Sequence, residues 1–333
     1  MTEILAIDMG HGFTKAVTPK AQMIVYSIVG AAEHIRFESD VVASNGHGIT
    51  VKMDERDFFV GEQAALQSAS VSQTLDVTRT GSMEQKVLFY AVASELVRTT
   101  SKQVVVVSGL PVANFDERNK RLLRKMLEGD HQVLVRGKRA RRFEVTHVYT
   151  IPQGVGALFA LVLDRRGRLA NGDLAGGRVG IIDIGMLTTN FVLADRLRYV
   201  EMGSDSITSG MSEPLTKIAK QLNREHGLNW GQQLGRVDQA VRARSVKVYG
   251  ERVDITGLVE PHIDSLAATV MAKARTLWSD GSDLDAVVLT GGGSREIASY
   301  LRRVYPHTRM VGGDPQFANV TGYLRAGLRR FAD

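Results

Sequence analysis

The strongest constraint on this chain is a short phrase that occurs twice. Ile7-Asp8-Met9-Gly10 returns as Ile182-Asp183-Ile184-Gly185, 175 residues further on. Each copy closes an apolar run, residues 5–9 or 179–184, and each leads through a small turn into a second strand-like run, residues 13–17 or 190–194. One such tetrapeptide arises by chance in many chains. Two in the same setting, half a chain apart, point to a duplicated unit. At 333 residues the chain is too long for one small core. The expected division is a first domain over residues 1–150, with a small subdomain near 31–80, a second over 151–319, and a terminal segment 320–333 returning to the first.

Other apolar runs, residues 104–107 and 286–289, also end in glycine signals: Gly109 with Pro111, and Gly291. Between the runs lie helical periods. Ile263, Leu266, Ala267, Val270, Met271, Ala274, Leu277 and Trp278 mark one face, and Val87, Leu88, Ala91, Val92 and Leu96 mark another. Strands alternating with helices predict an α/β fold with covered sheets. Met271 and Trp278 read as core rather than as part of a cofactor site. The chain has no cysteine, which removes disulfides, thiolate zinc sites and cysteine nucleophiles together. No run approaches the roughly 18 apolar residues of a membrane span, and the first residues lack the basic region of a secretory signal. A cytoplasmic protein with no membrane partner is expected.

The net charge of +6 is unevenly spread. Ten basic residues lie between Arg118 and Arg142, opposed there by Glu128 and Asp130. They read as a solvated helix face followed by a charged hairpin, or as a docking surface for an acidic partner or DNA. No aromatic residue interleaves with them, so single-strand stacking is not supported.

The glycine turns carry the chemistry. Triphosphate oxygens need backbone N–H donors that approach closely, hence glycine and small residues. Their magnesium needs carboxylates, often through water. The turn from Asp8 through Gly10, His11, Gly12 and Thr14 to Lys15 offers amides, a carboxylate, a hydroxyl and a cation. The turn from Asp183 through Gly185, Met186, Thr188 and Thr189 offers the same without the lysine. Two such hairpins facing each other clamp a phosphate chain from both sides. Gly291, Gly292, Gly293 and Ser294 follow a strand and open a helix expected over 295–303, where the helix dipole favours an anion. A Walker P-loop and a dinucleotide fingerprint are both missing.

The ordered set resembles the actin, sugar-kinase and heat-shock-chaperone superfamily. Residues 4–17 look like its first phosphate motif, 151–161 its first connecting helix, 179–194 its second phosphate motif, 289–297 its adenosine motif and 320–328 its second connecting helix. Val60-Gly61-Glu62-Gln63-Ala64, Ser108-Gly109-Leu110-Pro111 and Gly322-Tyr323-Leu324 look like the ParM/StbA-type and archaeal actin-like proteins. The resemblance implies an actin-like (ribonuclease H-like) two-domain fold with a nucleotide cleft between duplicated domains. It implies that Asp8 holds hydrated Mg²⁺, that Lys15 meets the β-phosphate, and that Asp183 serves the metal or orients the attacking water. Gly185, Thr188 and Thr189 then surround the terminal phosphates, Gln153 positions the hydrolytic water, and Gly291–Gly293 lie along the adenosine. His11 stands where a small hydroxyl residue is common, and Met186 is bulkier than the family's usual residue. Gly203, Asp205 and Gly210 fall near the ribose and hinge, although loop glycines commonly mark turns alone.

These roles imply a slow ATPase, with ATP/ADP and Mg²⁺ as cofactors, that polymerises head to tail and drives plasmid segregation through a DNA-bound adaptor. Direct sequence-specific DNA binding is not expected. Residues 55–65 are a candidate filament edge. The rival readings are a non-polymerising nucleotide switch of the same fold and, further off, a small-molecule kinase using Asp183 as base.

Overall fold

The computed structural model describes residues 2–34, 48–72, 79–98, 103–231 and 233–331. Part of the expected small subdomain, residues 35–47 and 73–78, lies outside them. The first half of the chain runs through β1 (Glu3–Met9), β2 (Phe13–Val17), β3 (Gln22–Tyr26), β4 (Val29–Ala31), β5 (Ile49–Met53) and β6 (Arg56–Val60). It continues with α1 (Glu62–Gln67), β7 (Val71–Ser72), α2 (Met83–Leu96), β8 (Gln103–Leu110), α3 (Glu117–Leu127), β9 (Gly129–Val135) and β10 (Arg141–Pro152). Its strands form one sheet in the order β3-β2-β1-β8-β10-β9-β5-β6-β4-β7. Every residue of β1 is buried, as expected of a central strand covered on both faces. Helix α2 is buried nearly all round, under one face of this sheet.

The second half contains α4 (Val155–Val162), α5 (Gly172–Gly176), β11 (Arg178–Ile184), β12 (Thr189–Asp195), β13 (Arg198–Ile207), α6 (Ser212–His226) and α7 (Leu234–Ala243). It continues with the hairpin β14 (Ser245–Val248) and β15 (Glu251–Asp254), α8 (Thr256–Trp278), β16 (Ala286–Thr290), α9 (Ser294–Val304), β17 (Thr308–Met310) and α10 (Ala318–Phe331). Its sheet runs β13-β12-β11-β16-β17. The repeat read in the sequence is therefore a repeat of topology. In each half a central strand pairs antiparallel with the next strand and parallel with a later one: β1 with β2 and β8, β11 with β12 and β16.

Two helices cross between the sheets. α4 leaves the end of β10 and packs on the second sheet, against Val179, Ile181, Val192 and Val288. α10 follows the second sheet and packs back on the first, where Val320, Tyr323 and Leu324 meet Ile4, Ala6 and Val107. At their crossing a Cβ on Gly322 would lie 1.7 Å from the carbonyl oxygen of Gly156, so only glycine fits. The connecting helix expected from residue 151 begins at Val155 instead, because Ile151 and Pro152 stay extended in register with Gly109 and Leu110.

The basic stretch is a helix followed by a hairpin. Asp116 caps α3, accepting from Asn119 N at 2.8 Å, and Lys120 pairs with Glu117 at 2.9 Å. Lys138 pairs with Glu95, and Arg141 donates to the Ser94 carbonyl at 3.0 Å. Arg118, Arg121 and Lys125 face solvent along one side of α3. Among the described residues no helix is long and apolar enough to cross a membrane.

Candidate functional site

β1 and β11 end side by side, and their turns face each other across a cleft of about 680 Å³, counted out to the solvent. The cleft brings together Asp8, Gly10, His11, Gly12, Lys15, Gln153, Asp183, Gly185, Met186, Thr188, Gly291 and Gly292. Thr14, Thr189, Gly210, Gly293 and Ser294 do not line it.

In the first hairpin Asp8 is 3% exposed. Its Oδ2 pairs with Lys15 Nζ at 2.8 Å, the residue opposite it across the hairpin. Its Oδ1 accepts from Gln153 Nε2 at 3.1 Å. Behind the turn, buried Arg79 donates to the Met9 carbonyl, and burial pushes this guanidinium down to about 10. Ser27 Oγ donates to the Gly10 carbonyl at 2.6 Å and shares a hydrogen bond with Thr14 Oγ1. Thr14 thus braces the turn from inside.

The second hairpin uses the same backbone with different side chains. Opposite Asp183 stands Asn190. Asn190 Nδ2 donates to Gln153 Oε1 at 3.3 Å, while its Oδ1 accepts from Val112 N at 3.1 Å and Ser206 Oγ at 2.7 Å. Gln153 is thereby held at both ends, by Asp8 of the first hairpin and Asn190 of the second. Asp183 Oδ2 accepts from Asn319 Nδ2 at 2.8 Å. Burial pushes the Asp183 carboxyl up to about 6, with the Asp8 carboxylate adding to the rise; Lys15 and the Asn319 hydrogen bond pull against it. Gly291, at φ 87°, passes so close that a Cβ would meet Asp183 Oδ1 at 2.5 Å.

The two turns touch. A Cβ on Gly12 would lie 2.9 Å from Met186 Cε, so the methionine fills the gap between the hairpins. Gly210 allows the start of α6 to lie against the second turn, where Met211 N donates to the Gly185 carbonyl at 3.0 Å. Thr189 Oγ1 donates to the Ser209 carbonyl at 2.7 Å. Ser294 is buried at the head of α9, and Gly293 packs on Ile184 and Met211. Gly203 lies inside β13, under Leu193, and Asp205 pairs with Lys273, so neither approaches the cleft.

At the far end of the cleft, Arg242 Nε donates to Asp238 Oδ2 at 2.8 Å and Arg242 Nη2 donates to the Gly292 carbonyl at 3.0 Å. The sequence reading missed Asp238, Arg242, Asn190 and Asn319. The Asp-x-x-x-Arg spacing of α7 was the one available signal, since i and i+4 share a helix face.

A family model described as actin-like proteins N-terminal domain matches residues 6–156, and one described as archaeal actin homologue MreB-like, C-terminal, matches residues 181–303. This chain is an actin-like protein. It is 25% identical over 342 residues to an archaeal actin homolog of Thermoplasma acidophilum, across 98% of this chain and 99% of that one. The crystal structure of Ta0583, an archaeal actin homolog, in complex with ADP superposes with a TM-score of 0.78 at 20% identity, covering 98% of this chain and 100% of that one. A 15-stranded ParM filament from Clostridium botulinum matches with a TM-score of 0.81 at 21% identity, covering 98% and 99%. The actin-like fold therefore spans both sheets and the cleft between them.

Proposed function

We propose that this chain is a slow, assembly-coupled ATPase. It binds ATP with Mg²⁺ in the cleft, assembles head to tail into filaments in the cytoplasm, and moves plasmid DNA through a DNA-bound adaptor. The observation that carries the reading is Gln153, whose amide joins Asp8 of one hairpin to Asn190 of the other. An amide cannot take a proton from water, so Gln153 acts by orientation, and hydrolysis relies on positioning and electrostatics. Lys15 adds a cation beside the turn amides of Gly10 and Gly12. The base and ribose lie toward Gly291, Gly292, Asp238 and Arg242.

The donor set suits Mg²⁺. Asp8 and Asp183 present hard carboxylate oxygens, and among the described residues no group of three or more His, Cys, Asp or Glu encloses an ion. Asp8 and Asp183 would hold the cation, which favours few carboxylates and keeps much of its water. When bound, it neutralises phosphate charge.

A γ-phosphate held by both turns ties the two sheets together, and its loss frees them. In a head-to-tail, non-closing assembly this difference is read as subunit affinity. Support comes from the neighbour of the same fold that builds a filament and from the archaeal homolog that binds ADP. Light scattering with parallel phosphate release tests the reading. Scattering should rise on adding ATP·Mg²⁺ and decay as phosphate appears, with the decay lost in Asp183→Ala. Hydrolysis without assembly over a wide protein range would replace the filament with a nucleotide switch.

A further inference from the structure

Asn319 is the second residue of α10 and is 5% exposed. Its Nδ2 donates to Asp183 Oδ2 at 2.8 Å. Its Oδ1 accepts from Gly154 N at 3.0 Å and Ala157 N at 3.1 Å, at the start of α4. Backbone N–H groups only donate, so the oxygen must face α4 and the amine must face the carboxylate. The neighbours therefore fix the orientation of this amide, which geometry alone leaves ambiguous.

The start of α4 needs this oxygen. A helix begins with N–H groups that have no partner in their own helix, and Gly154, the residue before α4, offers no capping side chain. The cap comes instead from another helix, 165 residues away. Gln153 immediately precedes Gly154. One carboxamide thus holds both the carboxylate of the second hairpin and the head of the helix that carries Gln153.

We propose that Asn319 is the positioning residue that sets Asp183 and Gln153 in one fixed relation around the attacked phosphate. The proposal rests on the ATPase reading above. No other side chain meets both demands. Aspartate keeps the acceptor for α4 but turns a carboxylate toward Asp183. Leucine matches the volume and loses both arms. Glutamine adds a methylene where α4 and α10 already approach at backbone contact. The terminal helix thereby becomes part of the reacting geometry without touching nucleotide.

Single-turnover phosphate release and ADP affinity, measured together on Asn319→Leu and Asn319→Asp, test this. Release should slow at least 10-fold in both variants, while the ADP Kd stays within about threefold of wild type. A merely structural asparagine predicts the opposite split: release per bound ATP unchanged, with losses following the folded fraction. That result, or Asn319→Asp releasing phosphate within threefold of wild type, would overturn the proposal. If neither variant folds, the Asn319 side-chain amide protons in wild type decide. They should resist solvent exchange and shift when a non-hydrolysable ATP analogue binds; protons that exchange freely or do not shift would refute the role. A wild-type chain that releases no phosphate sinks the ATPase reading and this proposal together, which separates that failure from the others.

Discussion

The two hairpins are the same backbone device given different side chains. Each carries an aspartate one residue before the end of a buried strand, turns on glycine and returns antiparallel. In the first, the residue facing the aspartate is a lysine, paired at 2.8 Å. In the second it is an asparagine, turned toward Gln153, and the aspartate is held by an amide of the terminal helix. The repeated topology presents two equivalent carboxylates, and the facing residue makes them unequal. The first is compensated by a cation of its own hairpin. The second is buried without one, and the cost is visible in its raised affinity for a proton.

The largest expected effect comes from breaking the link between the hairpins. Gln153→Ala should slow phosphate release by roughly 100-fold or more, in the range of losing one preorganised polar group at a reacting centre, with little change in ADP affinity. A rate within threefold of wild type in a stopped-flow phosphate assay would remove Gln153 from the mechanism.

The next effect concerns proton linkage at Asp183. Its carboxyl sits at about 6 in the folded chain against 3.8 for the ordinary group. The associated stability is fully present below 3.8 and is lost as pH rises through 6, because the unfolded chain sheds a proton that the folded chain retains. Asp183→Asn keeps an oxygen for Asn319 and removes the ionisation. It should stabilise the nucleotide-free protein by about 2–3 kcal/mol above pH 7, and the gain should vanish near pH 4. Denaturant melts at both pH values measure it, and a gain independent of pH would refute the linkage.

Lys15→Asn makes the first hairpin resemble the second. ATP affinity should fall about 10-fold, equivalent to about 1.4 kcal/mol, as read by titration with a fluorescent nucleotide. Unchanged affinity would mean that the lysine serves Asp8 alone.

The smallest effect lies where the strand after each hairpin leads. β3 ends in Tyr26, whose ring packs at a tilt against Phe13 with centroids 4.7 Å apart and whose Oη accepts from Gln239 Nε2 of α7 at 3.3 Å. Tyr26→Phe removes that one cross-cleft hydrogen bond. It should speed nucleotide exchange about twofold to fivefold, as losing a single neutral bond implies. No change would place the tyrosine outside cleft closure.

The hairpins were legible because their demands are local. A turn that exposes amides needs glycine, and the strands around it need unbroken apolar runs. Thr14 and Thr189 were read as ligand contacts, yet alternation along β2 turns Thr14 away from its cleft-facing neighbour Lys15, and Thr189 opens β12 with its hydroxyl spent on the Ser209 carbonyl. The helix after Gln153 starts later than its sequence suggests, because pairing with β8 holds Pro152 extended. Asn190 and Asn319 were invisible for another reason. Each acquires meaning only from partners far away in the chain, and alone an asparagine near a helix start looks like an ordinary cap.

The crossing of α4 and α10 carries a mechanical corollary. Where Gly322 rests on the Gly156 carbonyl, no side chain serves as a cushion. Main-chain atoms are already at their closest approach and cannot be compressed. The joint resists sliding and approach, leaving rotation about the contact as its soft direction. If the two sheets move relative to each other, this point is the bearing, and a single methyl group at position 322 would seize it.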